Sequence, residues 1–302
     1  MSSPASLAPP PAAPPSGLLA DIDRTRAGAL AQDILQPIHT EQAALEPAIL
    51  PFTVRWISSI ERKHAAREQA AGRRDGNFNP FLPPEPELTV GPLGEAHLAV
   101  LNKFPVIDRH LLVITRAYEA QTAPLTAADF AALARVMGPL GGLGFYNGGA
   151  TAGASQHHKH LQWIPAAAGE ASLRAYADRL AQHAPHTGTR TLAGLPFRHA
   201  FVSLAAVDWT LPDEAGPRLH EAFAAACTAL DLPPNADPMP PYNLLLDRDW
   251  LMVVPRRHEH WQDISVNALG FAGSLFVRRP AQIEQIRAVG PLALLAAVGE
   301  AA

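Results

Sequence analysis

The sequence predicts an α+β fold, a mainly antiparallel sheet with flanking helices. Two pairs of apolar runs carry that expectation, residues 97–102 with 110–115 and Tyr242–Leu246 with residues 250–254. Each pair is parted by a short polar connector and reads as a hairpin. Helical spacing of Phe130, Leu133 and Met137 after the first pair supplies a helix for one face of the sheet. Strand and helix do not alternate strictly along the chain, which argues against a doubly wound parallel fold. The hairpins share a pattern of apolar run, turn, apolar run and basic residue (Arg116; Arg256), as two fused, related halves would.

Each element has a local reason. Six prolines interrupt residues 1–17, so that stretch reads as a disordered Pro/Ala tail. It lacks a basic n-region and is not read as a signal peptide. Leu18, Ile22, Leu30 and Ile34 recur at helical spacing. Residues 52–56 read as a short strand, residues 63–74 as polar helix or loop, and the prolines of residues 79–86 as an extended connector. Thr126 and Asp129 start the helix of residues 125–137 with a capping-box pattern. The glycine-rich residues 138–153 read as a connector into residues 155–165, which Pro165 ends. Residues 171–182 and 212–230 read as helices, and residues 195–204 as the start of a strand. Asp247, Arg248 and Asp249 turn the second hairpin, residues 271–277 look strand-like, and a helix closes the chain.

Composition narrows the function. The chain has 302 residues, 48% of them apolar, enough for a sizeable core and too many for disorder throughout. A net charge of −4 leaves no basic field for nucleic acid or an anionic membrane. No apolar run approaches the roughly 18 residues of a membrane span, so a soluble, cytoplasmic protein is expected. The single cysteine, Cys227, excludes an internal disulfide and a Cys-rich zinc site, and among alanines it reads as a small buried helix residue. Of 24 basic residues only Lys63, Lys103 and Lys159 are lysines, and the other 21 (24 − 3) are arginines. Either these three are leftovers, or they stand where a compact ammonium serves and a planar guanidinium does not.

The chemistry concentrates in residues 155–162. Along a strand, His158, His160 and Gln162 face one way while Lys159, Leu161 and Trp163 face the other. Three readings stay open from the residues alone. The histidines sit on a surface; or His158 and His160 hold zinc with a third ligand such as His258, Glu259 or His260; or a histidine works as nucleophile or general acid–base. The small residues at 147–155 let backbone N–H groups approach an oxyanion, although they match neither a Walker A loop nor a dinucleotide fingerprint. A phosphate held beside a row of imidazoles favours phosphoryl or nucleotidyl transfer.

Gly153, Ala154, Ser155, Gln156, His157, His158, Lys159, His160, Leu161 and Gln162 resemble the active-site motif of the histidine-triad superfamily, in the branch whose third histidine is glutamine. Within that branch the chain is similar to the ATP adenylyltransferases, or diadenosine tetraphosphate phosphorylases. Residues 79–83, 101–104 with 110–116, 242–256 and 264–273 fit the same family, so the resemblance spans roughly residues 45–280. It implies a histidine-triad-like catalytic domain over residues 18–195 and an ATP adenylyltransferase-like domain over residues 196–302.

The resemblance also implies roles. His160 attacks the α-phosphate of a nucleotide, phosphate then takes the adenylyl group, and diadenosine tetraphosphate becomes ATP and ADP reversibly. His158 orients or protonates, and Gln162 donates to a phosphate oxygen. Substrate binding falls to Lys63, Asn102, Lys103, Asn147, Gly153, Ala154, Ser155, Gln156 and Gln162, joined by Asn267, Ala268, Leu269, Ser274 and Arg278, the last standing where lysine is expected. A divalent cation, Mg2+, assists without a permanent metal site. The partners are nucleotides and phosphate, with no nucleic acid and no membrane, and a monomer suffices if the second half supplies the wall that a partner supplies in dimeric relatives. The alternatives are a hexose-1-phosphate uridylyltransferase-like enzyme, which holds proline where this chain has Lys159, and a nucleotide- or metal-binding protein without turnover, which would lack His160. His258, Glu259 and His260 depart from the family pattern and read as a solvated loop or a metal site.

Overall fold

The computed structural model describes residues 17–45, 50–57, 78–167, 170–181 and 188–302. The Pro/Ala tail, residues 63–74 and Lys63 lie outside them. Along the chain run α1 (Leu18–Ala31), β1 (Thr40–Leu45), β2 (Phe52–Ile57), β3 (Thr89–Pro92), β4 (His97–Leu101), β5 (Leu111–Thr115), α2 (Ala127–Leu140), β6 (Leu143–Gly148), β7 (His160–Ile164) and α3 (Arg174–Ala181). The second half follows with β8 (Thr189–Arg190), β9 (Ala200–Ser203), α4 (Pro212–Ala229), β10 (Tyr242–Leu246), β11 (Trp250–Pro255), β12 (His260–Trp261), β13 (Ile264–Ser265), β14 (Ser274–Val277), α5 (Ala281–Val289) and α6 (Pro291–Val298).

Both expected hairpins form. β4 pairs antiparallel with β5, His97 opposite Thr115, and β10 pairs with β11, Tyr242 opposite Pro255. They belong to one nine-stranded sheet in the order β3-β4-β5-β7-β6-β10-β11-β9-β8, and β1, β2 and β14 form a smaller one. The unit β5–α2–β6–β7 lies in the order 5-7-6, and β9–α4–β10–β11 lies in the order 9-11-10. The chain thus repeats one strand–helix–hairpin unit. The two copies meet where β6 pairs with β10, Asn147 opposite Asn243.

The faces of the sheet divide the work. α2 and α4 cover one face, with Phe130 and Phe223 ring centroids 5.6 Å apart over Tyr146, Leu161, Trp163 and Val253. On the other face the second half is filled: Leu245, Met252, Val254 and Phe201 join Phe271, Leu275 and Leu294 in an apolar cluster. The first half presents His160 and Gln162 on that face instead.

Some expectations change. The glycine-rich residues 138–153 contain β6, buried along its whole length. Its glycines serve close packing rather than a loop. A Cβ on Gly144 would lie 2.8 Å from Met137 Sδ, and one on Gly148 would lie 2.8 Å from the Tyr242 ring. The strand-like residues 271–277 divide into a 3-10 turn, Ala268–Ala272, and β14, which runs parallel to β2. The terminal helix is two helices, α5 and α6, broken at Gly290. Cys227 is buried in α4, where burial pushes its thiol up to about 12. Among the described residues no helix is long and apolar enough to cross a membrane.

Candidate active site

His160 opens β7, and His158 stands just before it in an isolated bridge with Ala120. The Phe81 ring touches both imidazoles, with centroids 5.6 Å from His158 and 5.4 Å from His160, so the two rings share one side of the chain. His160 Nδ1 lies 2.8 Å from the His158 carbonyl oxygen, which only accepts. Nδ1 therefore carries the proton. Nε2 keeps its lone pair, with no partner among the described residues. Burial pushes the ring pKa down to about 4, against the opposing hydrogen bond to His158, so the imidazole is neutral at pH 7. A neutral imidazole with a free Nε2 is a nucleophile.

Two asparagines fix the neighbouring rings in the same way. Asn79 Oδ1 accepts from the Phe81 N–H at 3.0 Å, which turns Asn79 Nδ2 toward His158 Nδ1 at 2.9 Å. The His158 proton must then sit on Nε2, which donates to the Thr115 carbonyl at 2.9 Å, with Thr115 Oγ1 at 2.8 Å. Both ring nitrogens of His158 are hydrogen-bonded, and burial lowers its pKa. Asn102 repeats the device: its Oδ1 accepts from Phe104 N–H, and its Nδ2 donates to His110 Nδ1 at 3.1 Å. His110 Nε2–H then donates to Gln162 Oε1 at 2.9 Å. With its oxygen occupied, Gln162 keeps Nε2 for another acceptor.

The glycine loop is held from behind. Gly149 and Gly153 have φ of +89° and +92°, a region side chains disfavour. A Cβ on Gly153 would lie 2.8 Å from Val266 O and 2.9 Å from Asn267 Cα, so glycine lets the loop seat on the segment 266–269. Asn147 Oδ1 ties the two together by accepting from Asn243 Nδ2 and Ala268 N–H, each at 2.9 Å. Asn267 Oδ1 accepts from Leu269 N–H. Buried Arg256 closes the assembly with hydrogen bonds to Asn243 Oδ1 and the carbonyls of Ala152, His258, Val266 and Val298. Burial lowers its pKa to about 10.

Ala154 and Gln156 are half-buried along the loop and Ser155 is exposed. The structure therefore assembles His160, Gln162, Gly153–Gln156, Asn147 and residues 267–269 into one region. Lys103 is paired with Glu85 at 3.0 Å, next to the Asn102 relay. Ser274, buried without a partner for its hydroxyl among the described residues, and exposed Arg278 lie on or just past β14, in the smaller sheet.

Lys159 faces away from the site, 1% exposed, and reaches Glu119, Pro124 O and Asp129. Glu259 is engaged by Ser265 Oγ at 2.7 Å and His260 at 3.5 Å. Among the described residues no group of three or more His, Cys, Asp or Glu could hold a metal ion. The segment 257–260 instead borders an open surface depression with Ala150 and Thr151.

The sequence reading missed Asn79, His110, Gln121 and Arg256 as parts of the site. A signal for two of the relays does exist, the repeated Asn-x-Phe of Asn79-Pro80-Phe81 and Asn102-Lys103-Phe104.

A buried nucleophilic imidazole, an amide donor beside it and a glycine loop on an antiparallel sheet define a histidine-dependent group-transfer site of the histidine-triad kind. Residues 9–179 match the Ap4A phosphorylase N-terminal domain, and residues 193–301 match the ATP adenylyltransferase C-terminal domain. The chain belongs to the Ap4A phosphorylase family. It is 28% identical over 254 residues to Protein APA1 of Saccharomyces cerevisiae, covering 76% of each chain. It is also 28% identical over 283 residues to diadenosine 5′,5‴-P1,P4-tetraphosphate phosphorylase 2 of the same yeast, covering 83% of this chain and 84% of that one. Its fold is similar to the crystal structure of yeast Ap4A phosphorylase Apa2, with a TM-score of 0.74 at 22% identity, covering 94% of this chain and 97% of that one.

Proposed function

We propose that this chain phosphorolyses diadenosine tetraphosphate to ATP and ADP, reversibly, through an adenylyl group carried on His160. The observation that carries the reading is the proton on His160 Nδ1, held by the His158 carbonyl, which leaves Nε2 unprotonated. Nε2 attacks the α-phosphorus of one adenylyl end. The N–P bond forms, the bond to the bridging oxygen breaks, and ATP leaves with that electron pair. An oxygen of inorganic phosphate then attacks the same phosphorus, the N–P bond breaks, and ADP leaves while the imidazole regains its lone pair.

Gln162 Nε2 donates to a non-bridging oxygen through the transfer. Contacts to a charged acceptor are roughly twice as strong as neutral ones. The amide has no acidic proton to spend on water, which suits a phosphate acceptor. Mg2+ enters with the substrate, on its phosphates. The second half provides the wall behind the glycine loop within one chain, so a monomer is sufficient, and a cytoplasmic location is part of the same reading.

Two measurements test the reading. Incubation with α-labelled ADP, which runs the second step in reverse and releases phosphate, gives an acid-labile, base-stable adenylylated protein, and His160→Ala abolishes both label and turnover while nucleotide still binds. Diadenosine tetraphosphate is consumed slowly until phosphate is added. Near-normal turnover by His160→Ala, or AMP release at equal rates with and without phosphate, overturns it.

A further inference from the structure

The ladder between β6 and β7 stops two residue pairs short of the nucleophile. Its last pair is Phe145 opposite Gln162, so the same register would set Asn147 opposite His160. The Gln121 carboxamide occupies that place. Its Oε1 accepts from the His160 N–H at 2.9 Å, and its Nε2 donates to the Asn147 carbonyl at 2.8 Å and the His160 carbonyl at 3.3 Å. The backbone of Gln121 is also spent, its N–H on His157 O at 2.8 Å and its carbonyl on Tyr146 Oη at 2.5 Å. The residue is 3% exposed.

A side-chain amide standing where a strand-to-strand bond would form holds the two strands apart by its own width. The strands diverge at His160 and Asn147, the two residues from which the glycine loop departs. The loop carrying Gln121 is itself pinned. Lys159 Nζ donates to Glu119 Oε2 at 2.5 Å and Pro124 O at 3.0 Å, and the Lys159 N–H donates to Glu119 O at 2.8 Å. The lysine between the two histidines therefore acts behind the sheet.

We propose that Gln121 is a positioning residue for the nucleophile, a wedge that keeps β6 and β7 from zipping shut and so fixes the backbone of His160, with Lys159 anchoring the loop that carries it. The proposal rests on His160 being the nucleophile. A misplacement of about 1 Å typically costs about 10²-fold in rate, so loss of the wedge acts on kcat and leaves KM largely alone.

The test uses Gln121→Met, which keeps length and loses every side-chain hydrogen bond, and Gln121→Glu, which keeps shape. The ionised carboxyl at 121 still accepts from His160 N–H but has no proton for the Asn147 carbonyl, and protonation restores one. Gln121→Met is expected to lower kcat and the single-turnover rate of adenylylation about ten- to a hundredfold, with KM within about threefold. Gln121→Glu is expected to lose kcat at high pH and regain it as pH falls, adding an ionisation absent from wild type.

The titratable groups around the wedge are His160, Tyr146, His157 and the Lys159–Glu119 pair. His160 is neutral down to about pH 4, and Tyr146 is held well above its usual range by burial. The others are present in wild type too, whose profile is the control. A folded Gln121→Met with kcat within twofold of wild type, or a Gln121→Glu profile parallel to wild type, overturns the proposal. A wild-type protein that never becomes adenylylated overturns the underlying reading instead.

Discussion

His110 donates from Nε2 to Gln162 Oε1 across 2.9 Å, and this one bond decides which end of the glutamine amide faces a ligand. The donor is assigned because Asn102 already occupies His110 Nδ1. Without it the amide is free to turn and present oxygen to oxygen. We expect His110→Phe to lower kcat/KM about tenfold to a hundredfold, the equivalent of roughly 1.5–3 kcal/mol for a hydrogen bond to a charged group. A double-mutant cycle with Gln162→Ala should show little further loss, since both variants remove the same donor. Additive losses would mean that His110 acts elsewhere.

The pH dependence follows from two buried rings. Burial pushes His160 and His110 down to about 4. The reactive form of His160 is the neutral one, so kcat/KM should stay level below pH 6.5 and fall only as pH drops toward 4. A half-maximal acid limb near 6.5 would contradict this.

The same rings link stability to pH. Unfolded, each takes a proton near pH 6.5; folded, each resists until about 4. Between those values the unfolded state binds more protons, so stability is full above about 6.5 and is lost as pH falls through 4. Urea midpoints at pH 4.5 and 7 should differ in that sense, and less so in His110→Gln.

Asp129 serves three partners. It closes the capping box of α2 with Thr126, bonds His97 Nε2 at 2.8 Å, and faces Lys159 Nζ at 3.4 Å. Burial alone would raise its pKa, but His97, Lys159 and Thr126 hold it below the usual carboxylate value. Asp129→Ala leaves a buried ammonium with one partner fewer and removes a cap. We expect a loss of about 3–5 kcal/mol, in the range for breaking a buried ion pair, seen as a lowered urea midpoint. A loss below about 1 kcal/mol would show that Glu119 and the Pro124 carbonyl suffice for Lys159.

Lys103 is a surface cation, its side chain 33% exposed, paired with Glu85. An exposed pair of this kind contributes about 1 kcal/mol at most, so Lys103→Ala should hardly change stability. If the ammonium leaves Glu85 for a substrate phosphate, KM for diadenosine tetraphosphate should rise roughly tenfold or more, as for a lost charge-assisted contact. Lys103→Arg should restore only part, because a planar fork replaces a point charge. Unchanged KM in Lys103→Ala would leave the lysine as a partner of Glu85 alone.

Local pattern determined much of this protein by itself. Continuous apolar runs with Asp247-Arg248-Asp249 between them announce β10 and β11, and Thr126 with Asp129 announces the start of α2, because turns and caps are settled within a few residues. The motif from Gly153 to Gln162 likewise points to the chemistry through side chains that are neighbours in sequence. Tertiary structure decided how the neighbouring imidazoles are turned, since His158 and His110 are held by asparagines 79 and 8 positions away. It also decided that the glycines of β6 are for packing against Met137 and Tyr242, and that Gln121 stands between Asn147 and His160. A glycine or a glutamine has the same local preferences in a loop or in a core; only the atoms brought against it from elsewhere in the chain settle what it does.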